Sequence, residues 1–184
     1  CSYQAFIVKR GQRIILNLGS APIGYGLSAA IGVSFALNNK KRIICMEGDG
    51  SIQTNIQELQ TVKHYNLPLK IFIHSNGGYL SNKNTQKNLF GGRYVASGEE
   101  SHITSPNFVK VGKAYGIKSI RINNHKEMKT KIKYVLNYPG SIICDINALK
   151  DMSLTPKLLT KKRSDGSFYS PPLEDMWPFL SKEE

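Results

Sequence analysis

The sequence predicts an α/β protein whose doubly wound parallel sheet is flanked by helices. One observation is a set of short apolar runs, at residues 42–47, 69–74 and 141–146, which are rich in isoleucine and lack strict polar–apolar alternation. Another is that segments with helical spacing of apolar residues separate these runs. Near-continuous apolar strands that alternate with helices are typical of a parallel sheet covered on both faces. The α/β class follows from this order of elements.

The individual elements follow from local signals. Small residues such as Gly26 and Gly32 allow close packing of the first helix, and Ile56, Leu59 and Val62 share one face of the second. Pro106 suits the first turn of a later helix. We predict a strand at 13–18, a helix at 24–37, a strand at 42–47, a helix at 55–65, a strand at 69–74, a polar, glycine-containing stretch at 75–105, a helix at 106–115, a strand at 117–122, a helix at 125–137 and a strand at 141–146.

The last predicted helix has its own start signal. Asn124 and Glu127 have the spacing of a capping box, in which each side chain bonds a backbone amide at the helix start. Gly116 ends the preceding helix. We therefore expect the helix that begins at His125 to be well defined.

The 184 residues divide into one domain and a tail. Residues 1–147 form the predicted α/β domain, and residues 148–184 form an irregular C-terminal tail that contains several prolines. Trp177, Phe179 and Leu180 could anchor this tail on a neighbouring surface. Because the chain begins with Cys1 and not with Met, we expect the natural start to lie upstream and this domain to be truncated at its N-terminus.

Composition excludes several classes of protein. No run approaches the roughly 20 apolar residues of a membrane span, and residues 1–10 do not resemble a signal peptide, so we expect a cytoplasmic protein without a membrane partner. Cys45 and Cys144 lie within apolar runs, which predicts buried thiols. The net charge of +12 could indicate nucleic acid, but the basic residues are mostly scattered and accompany no RRM, zinc-finger or helix-turn-helix signature. Solvated helix faces are the simpler interpretation, although a basic chain also suits an anionic cofactor.

Two loops at predicted strand ends carry the chemistry. Ligands of doubly wound sheets bind beyond the carboxyl ends of the strands. Residues 47–51, Glu-Gly-Asp-Gly-Ser, directly follow one strand, and residues 75–79, Ser-Asn-Gly-Gly-Tyr, directly follow the next. Either loop alone is common in ordinary turns. The pair, 27 residues apart between Asp49 and Asn76, is far more specific.

The residue types in these loops suit a metal-bridged phosphate. Gly48 and Gly50 let the backbone turn tightly and approach a ligand. A carboxylate beside a diphosphate needs a cation between them, and Mg²⁺ takes oxygen ligands from protein and phosphate together. Asp49, the Asn76 amide oxygen and the Gly78 carbonyl can supply these oxygens, with Tyr79 against the site.

At these residues the chain resembles a known family. GDGSIQTNIQELQTVKHYNLPLKIFIHSNGGY is similar to the motif of thiamine-diphosphate enzymes, and GSAPIGYGLSAAIG resembles the upstream segment of acetolactate synthase large subunits. The resemblance extends to PPLEDMWPFL near the end of the chain. It implies the C-terminal, diphosphate-binding domain of such an enzyme.

The resemblance implies a role at each matching position. Asp49, Asn76 and the Gly78 carbonyl match Mg²⁺ ligands, and Gly50 and Ser51 match diphosphate contacts. Ile23 matches the apolar residue that enforces the bent cofactor conformation. The Ala21 carbonyl matches the acceptor for the aminopyrimidine amino group, which the bend brings next to the carbon that it deprotonates.

The chain also departs from the family pattern. Ser75 stands where the family usually has Asn, and Ala21 stands where many members have Gly. Asn82 replaces the Glu of pyruvate-type decarboxylases, which weighs against simple aldehyde release. Acetolactate synthases proper carry a more apolar sequence after the metal-binding Asn. The substrate is therefore open.

The largest departure is a missing group. The family uses a Glu from a separate pyrimidine-binding domain, in the same parent chain or a partner subunit, and nothing in the 184 residues matches it. The resemblance implies a homo-oligomer and a 2-oxo acid substrate, and we expect the chain alone to be inactive. FAD is possible in the full-length parent.

Other polar residues have weaker claims to the site. His74 ends a strand beside the second loop, and Gln86 and His102 lie in the stretch that follows, so each could face substrate. Glu58, His64 and His125 are expected on the surface.

We expect the parent enzyme to decarboxylate a 2-oxo acid and ligate the product to an acceptor carbonyl. The alternatives are a family member with another acceptor in sugar or surface-polysaccharide biosynthesis, a non-catalytic cofactor-binding subunit and, more distantly, a nucleic-acid-binding module.

Overall fold

A computed structural model of the chain describes residues 6–17, 19–152 and 155–178. Its sheet has four parallel strands: β1 (Ile43–Gly48), β2 (Leu69–Ser75), β3 (Lys118–Ile122) and β4 (Ile142–Asn147), in the order β1-β2-β4-β3. The helices are α1 (Tyr25–Ala36), α2 (Asp49–Gln53), α3 (Leu59–His64), α4 (Leu80–Leu89), α5 (Phe108–Ala114) and α6 (His125–Asn137). The predicted α/β class with a parallel sheet is confirmed.

Both faces of the central strands β2 and β4 are covered, which explains their continuous apolar sequences. On the edge strand β1, Ile44 and Met46 remain about half exposed. Alternate residues of a strand point to opposite faces. Leu69, Ile71 and Ile73 of β2 belong to the larger buried cluster, whereas Phe72 belongs to the smaller one. Helices α1, α3 and α5 contribute to the larger cluster through Leu27, Ala30, Ile31, Leu59, Val62 and Phe108, and α6 contributes Val135 to the smaller one.

The strand order brings the ends of three strands together. The chain passes from β2 to the edge strand β3 and then returns to place β4 between them. The carboxyl ends of β1, β2 and β4 therefore lie side by side. Ligands of open α/β sheets bind at this edge, near the place where the strand order reverses.

Two of the predicted elements differ from the structure. The predicted strand at 13–18 is wrong, because residues 13–17 have no regular structure; Leu18 lies outside the described residues. Strand geometry needs a hydrogen-bonded neighbour, and no described strand pairs with this segment. Within the polar stretch 75–105, the structure has the unpredicted helix α4. Its sequence, LSNKNTQKNL, has apolar residues only at the two ends and so lacks a helical apolar stripe.

The starts of two helices refine the sequence predictions. The second predicted helix opens as a 3₁₀ turn, Ile56–Glu58, before α3. At α6, Asn124 Oδ1 accepts a hydrogen bond from the Glu127 amide at 3.2 Å, as a capping box requires. Glu127 Oε2 instead accepts from the amide of Asn123, at 3.0 Å. The cap is therefore present in a shifted form.

The C-terminal tail is mostly irregular. Two short antiparallel strands, β5 (Lys161–Lys162) and β6 (Phe168–Tyr169), form its ladder. Trp177 pairs through its backbone with Lys157, whose Nζ lies 5.6 Å from the indole ring centre. These contacts of Trp177 lie within the tail, and Phe179 and Leu180 lie outside the described residues. The boundary after residue 147 stays a prediction.

The two cysteines predicted as core residues are buried and free. Burial raises the pKa of Cys45, and it raises the pKa of Cys144 to about 12. Thiols of this kind remain protonated at neutral pH and behave as small apolar groups. In the described part of the chain, no helix is long and apolar enough to cross a membrane.

Candidate functional site

The two loops singled out in the sequence meet at one edge of the sheet. Asp49 is the first residue after β1, and Asn76 is the first after β2. These strands are parallel neighbours. A cleft of about 1460 Å³ lies beyond their carboxyl ends and extends to the ends of β3 and β4.

Asp49 is fully buried and accepts four hydrogen bonds. Its Oδ2 accepts from the amides of Gly77 (2.8 Å) and Gly78 (3.1 Å) and from Ser105 Oγ (2.7 Å). Its Oδ1 accepts from the Gly50 amide at 3.0 Å. Burial of a carboxylate requires such donors. Because three of the four bonds go to Oδ2, Oδ1 keeps spare acceptor capacity.

The side-chain amide of Asn76 faces two oxygen atoms beside this spare capacity. In the orientation that forms hydrogen bonds, Asn76 Nδ2 donates to Asp49 Oδ1 at 3.2 Å and to the Gly78 carbonyl oxygen at 3.1 Å. A half-turn of the amide would place its oxygen there instead, so that three residues could offer oxygen atoms to a cation. Neighbouring ligands of octahedral Mg²⁺ are separated by roughly 2.9 Å, from metal–oxygen distances of 2.0–2.1 Å. The donor set therefore fits Mg²⁺.

The rest of the donor set also favours a hard cation over a transition metal. The described residues contain no group of three or more His, Cys, Asp or Glu side chains that could hold a metal. One carboxylate with neutral amide and carbonyl oxygens instead suits Mg²⁺, which shares its coordination with phosphate or water.

At two glycines of the site, neighbouring atoms leave too little room for a side chain. Gly78 has φ 131°, and a Cβ there would lie 2.8 Å from the Ser97 carbonyl oxygen. A Cβ on Gly50 would lie 2.8 Å from the ring of Tyr79. The Tyr79 amide donates to the Ser97 carbonyl at 2.9 Å. Tyr79 thus packs on the Gly-Asp-Gly loop, as the sequence predicts.

The turn before α1 forms the opposite wall. Its Gly24 amide donates to Ser51 Oγ at 2.8 Å, and Asn55 Nδ2 donates to the Gly24 carbonyl at 3.0 Å. Ile23 is half exposed and lines the cleft. Ala21 also lines it, with φ 43°, in the left-handed region that favours glycine. These bonds fix the turn against the loop after β1.

The structure brings the nine predicted cofactor-binding residues to one edge of the sheet. Seven line the cleft directly: Ala21, Ile23, Gly48, Ser51, Asn76, Gly78 and Tyr79. The other two, Asp49 and Gly50, are buried at the start of α2. Their roles toward a ligand stay predictions.

The weaker candidates separate into different positions. Gln86 does not line the cleft; its Oε1 accepts from Ser97 Oγ at 2.7 Å and from the Val95 amide at 3.2 Å, so it braces that loop. His102 is exposed, away from the cleft lining. His74 does line the cleft. His125 is exposed, as predicted, but also borders the cleft.

Sequence reasoning missed several participants. Ser105 binds Asp49 from 56 residues away, and no local pattern reveals such a contact. Gly77 donates its amide to the same carboxylate. Glu47 Oε1 and His74 Nε2 are buried and have no hydrogen-bond partner among the described residues, although both residues line the cleft. Burial lowers the pKa of His74.

Comparison with known proteins agrees with this geometry. Residues 1–146 match the family described as "Thiamine pyrophosphate enzyme, C-terminal TPP binding domain". The chain is 35% identical over 159 residues to the acetolactate synthase large subunit of Porphyra purpurea, covering 85% of the chain and 26% of that protein. It is 38% identical over 126 residues to the acetolactate synthase isozyme 3 large subunit of Escherichia coli (strain K12), covering 68% of the chain and 21% of that protein.

A solved structure shares the fold. The thiamine diphosphate-dependent 4-hydroxybenzoylformate decarboxylase of Rhodococcus jostii RHA1 superposes with a TM-score of 0.64 and 25% identity, over 73% of this chain and 24% of that one. The chain spans about a quarter of the length of these relatives. The family match covers most of the chain, including both loops of the site. The chain therefore belongs to the thiamine pyrophosphate enzymes and carries their C-terminal TPP-binding domain, of the acetolactate synthase-like kind.

Proposed function

We propose that the chain binds the diphosphate of thiamine diphosphate through Mg²⁺ held by Asp49, Asn76 and the Gly78 carbonyl. The observation that carries this proposal is the convergence of the Asn76 side-chain amide, the Gly78 carbonyl and the buried Asp49 carboxylate, with 3.1–3.2 Å between the amide and the two oxygens. A cation among them would offset the charge of Asp49 and of the diphosphate together. The other Mg²⁺ positions would belong to phosphate and water.

The neighbouring residues would then hold the rest of the cofactor. Ser51 Oγ accepts a hydrogen bond from the Gly24 amide. The proton of the Ser51 hydroxyl therefore points away from Gly24 and would be available to a phosphate oxygen. Gly48 and Gly50 permit close approach of the backbone. The side chain of Ile23 would support the bent conformation, and the Ala21 carbonyl would accept from the amino group. Bound there, the cofactor supplies an electron sink for carbanion chemistry.

The parent protein would be an enzyme that decarboxylates a 2-oxo acid and ligates the product to an acceptor carbonyl. The support is the similarity to acetolactate synthase large subunits. We propose that the activating Glu comes from a pyrimidine-binding domain of the parent or of a partner subunit, within a homo-oligomer. The chain alone should then show no turnover.

One observation favours the alternative in which the acceptor is neutral and hydroxylated, as in sugar or surface-polysaccharide biosynthesis. Glu47 lines the cleft, and its carboxyl oxygen Oε1 is buried without a hydrogen-bond partner among the described residues. A carboxylate accepts hydrogen bonds from hydroxyl groups and repels a second carboxylate. Product analysis with pyruvate plus either a second 2-oxo acid or a hydroxyaldehyde would separate the two acceptor classes.

Metal binding tests the central proposal. Mn²⁺, used as a probe for the Mg²⁺ site, should bind the chain, and electron paramagnetic resonance should show the loss of free Mn²⁺ on titration. Asp49→Ala should abolish this binding, because it removes the only anionic protein ligand. Asp151→Ala is the matched control, since it removes an equal charge from a side chain that is 69% exposed and pairs with Lys87 at 3.4 Å.

The titration has two decisive outcomes. Loss of Mn²⁺ binding in Asp49→Ala but not in Asp151→Ala would support the proposed site. Equal binding by the parent chain and Asp49→Ala would refute it. Thiamine diphosphate added to the Mn²⁺-loaded chain should change the spectrum further, because phosphate oxygens would replace metal-bound water.

A further inference from the structure

A second buried carboxylate lies close to the site. Asp145 of β4 is fully buried. Its Oδ2 accepts from Nε of Arg121 on the neighbouring strand β3 at 2.9 Å and also from Nη2 of the same guanidinium. This two-pronged pair offsets the charge of Asp145. The other oxygen, Oδ1, is free to serve a different partner.

That partner is the residue that precedes the proposed metal ligand. Ser75, the last residue of β2, donates its hydroxyl proton to Asp145 Oδ1 at 2.5 Å. The Ser75 carbonyl also accepts from the Ala148 amide at 3.0 Å. Both bonds tie the end of β2 to β4. Asn76 follows directly, so its backbone starts from a fixed point.

The loop at residues 75–78 is therefore held by two buried aspartates. Asp145 holds its first residue through the Ser75 hydroxyl. Asp49 holds its far end by accepting from the Gly77 and Gly78 amides. Asn76 lies between these two anchors. Rotation of the loop would have to break a hydrogen bond to a charged group, and such bonds contribute more than neutral ones.

We propose that Asp145 is a positioning residue for the metal site and acts through Ser75 on Asn76. The proposal rests on the proposed Mg²⁺ site. Ser75 is then more than a replacement for the usual Asn, because its hydroxyl connects the metal loop to the Arg121–Asp145 pair. Residues that orient metal ligands typically change metal affinity by roughly 10- to 100-fold when they are removed.

The test compares Mn²⁺ affinity in variants of the link. Ser75→Ala and Asp145→Asn should each weaken Mn²⁺ binding by about tenfold. Ser75→Thr, which keeps a hydroxyl, should restore the affinity of the parent chain. Ser119→Ala is the matched control, because Ser119 lies on β3 and donates to the Ile117 carbonyl at 3.0 Å, outside the cleft. It should leave Mn²⁺ affinity unchanged.

A double variant separates positioning from general loss of stability. If Asp145 acts through Ser75, Asp145→Asn should weaken Mn²⁺ binding no further in the Ser75→Ala background. The bound Mn²⁺ spectrum should also broaden equally in both single variants. Independent, additive losses would overturn the proposed link, and so would parental affinity in Ser75→Ala.

The failure of this inference is distinguishable from failure of the site itself. If Asp49→Ala loses Mn²⁺ while Ser75→Ala and Asp145→Asn bind like the parent chain, only the positioning role is wrong. If Asp49→Ala binds Mn²⁺ like the parent chain, the metal site is wrong. Should Ser75→Ala fail to fold, Asp145→Asn and Ser75→Thr still test the link, because the proposal requires a tenfold loss of affinity in the former and none in the latter.

Discussion

Asp49 and Asp145 are both fully buried at the same edge of the sheet, yet their surroundings differ. Asp145 receives two hydrogen bonds from the guanidinium of Arg121. Among the described residues, the Asp49 carboxylate receives hydrogen bonds only from neutral groups: three backbone amides, the Ser105 hydroxyl and the Asn76 side-chain amide. One carboxylate therefore has its countercharge within the chain. The other has donors but no cation among the described residues.

The difference indicates how to separate a structural carboxylate from a ligand-binding one. Burial alone does not separate them, because a buried charge is costly wherever it lies. The position of the compensating charge does. Asp145 has its countercharge in Arg121, whereas Asp49 has only neutral donors and, under the proposed function, would receive its countercharge from the metal.

The largest expected effect comes from making the same change at both aspartates. Asp49→Asn should reduce Mn²⁺ affinity by more than about 100-fold. This exceeds the effect of removing a residue that only orients a metal ligand. Asp145→Asn should reduce it by only about tenfold. Paramagnetic resonance titration measures both. Equal losses would mean that the two carboxylates are not distinguished by their countercharges.

Without metal, the two substitutions should rank in the opposite order by their effect on the free energy of unfolding of the chain. Asp145→Asn should cost about 2–3 kcal/mol, because it leaves part of the Arg121 guanidinium unpaired, although that side chain is 38% exposed. Asp49→Asn should change it by less than about 1 kcal/mol, since the remaining oxygen still accepts from the loop and the Asn76 amide can turn its oxygen toward the new amide nitrogen. Urea unfolding by circular dichroism would check the order.

A smaller effect on the metal is expected at the neutral ligand. Asn76→Ala should weaken Mn²⁺ binding by roughly tenfold, because a neutral oxygen contributes less than a carboxylate and water can replace it. Asn137→Ala, at an exposed position at the end of α6, serves as control. An Asn76→Ala loss as large as that of Asp49→Asn would contradict the leading role of charge.

Ile23→Ala should leave the metal site unchanged and act on the cofactor alone. Mn²⁺ affinity should stay at the parental value, and the free energy of unfolding should change by less than about 0.5 kcal/mol, as at most surface positions. Affinity for thiamine diphosphate should fall by a factor of about three, while turnover of the full-length protein should fall more, because the bent conformation is no longer enforced. Calorimetry and steady-state rates together check this split.

A further expected effect is a pH dependence of stability at His74. Burial lowers its pKa from the ordinary value of 6.5. Below pH 6.5 the unfolded chain therefore binds a proton that the folded chain does not, and stability falls as pH drops through this window, by at most about 1.4 kcal/mol per pH unit. His74→Gln should flatten this fall between about pH 7.5 and 5.5 in urea unfolding. His64→Gln, on an exposed side chain, should leave it unchanged.

The regular part of the fold was predictable because its signals are local. The apolar runs of β1, β2 and β4 and the start of α6 at His125 follow from residue spacing and capping. The run predicted as a strand at 13–18 has similar composition, but its described residues 13–17 form no strand, since strand formation depends on a partner. Helix α4 was missed for the converse reason: its polar sequence has no apolar face, and distant contacts, such as that between Asn84 and the Met152 carbonyl, help to place it.

The candidate site divides in the same way. Adjacent residues were enough to predict the Gly-Asp-Gly and Asn-Gly-Gly loops and their positions after successive strands, because turn chemistry and strand periodicity are local properties. The folded chain was needed to reveal that Ser105 and two loop amides satisfy Asp49, that Glu47 and His74 keep unpaired atoms beside the cleft, and that Arg121, Asp145 and Ser75 support the second loop. The contacts of Asp145 alone join residues 24 and 70 positions apart. Hydrogen bonding and charge compensation depend on distance in space, which local sequence patterns do not encode.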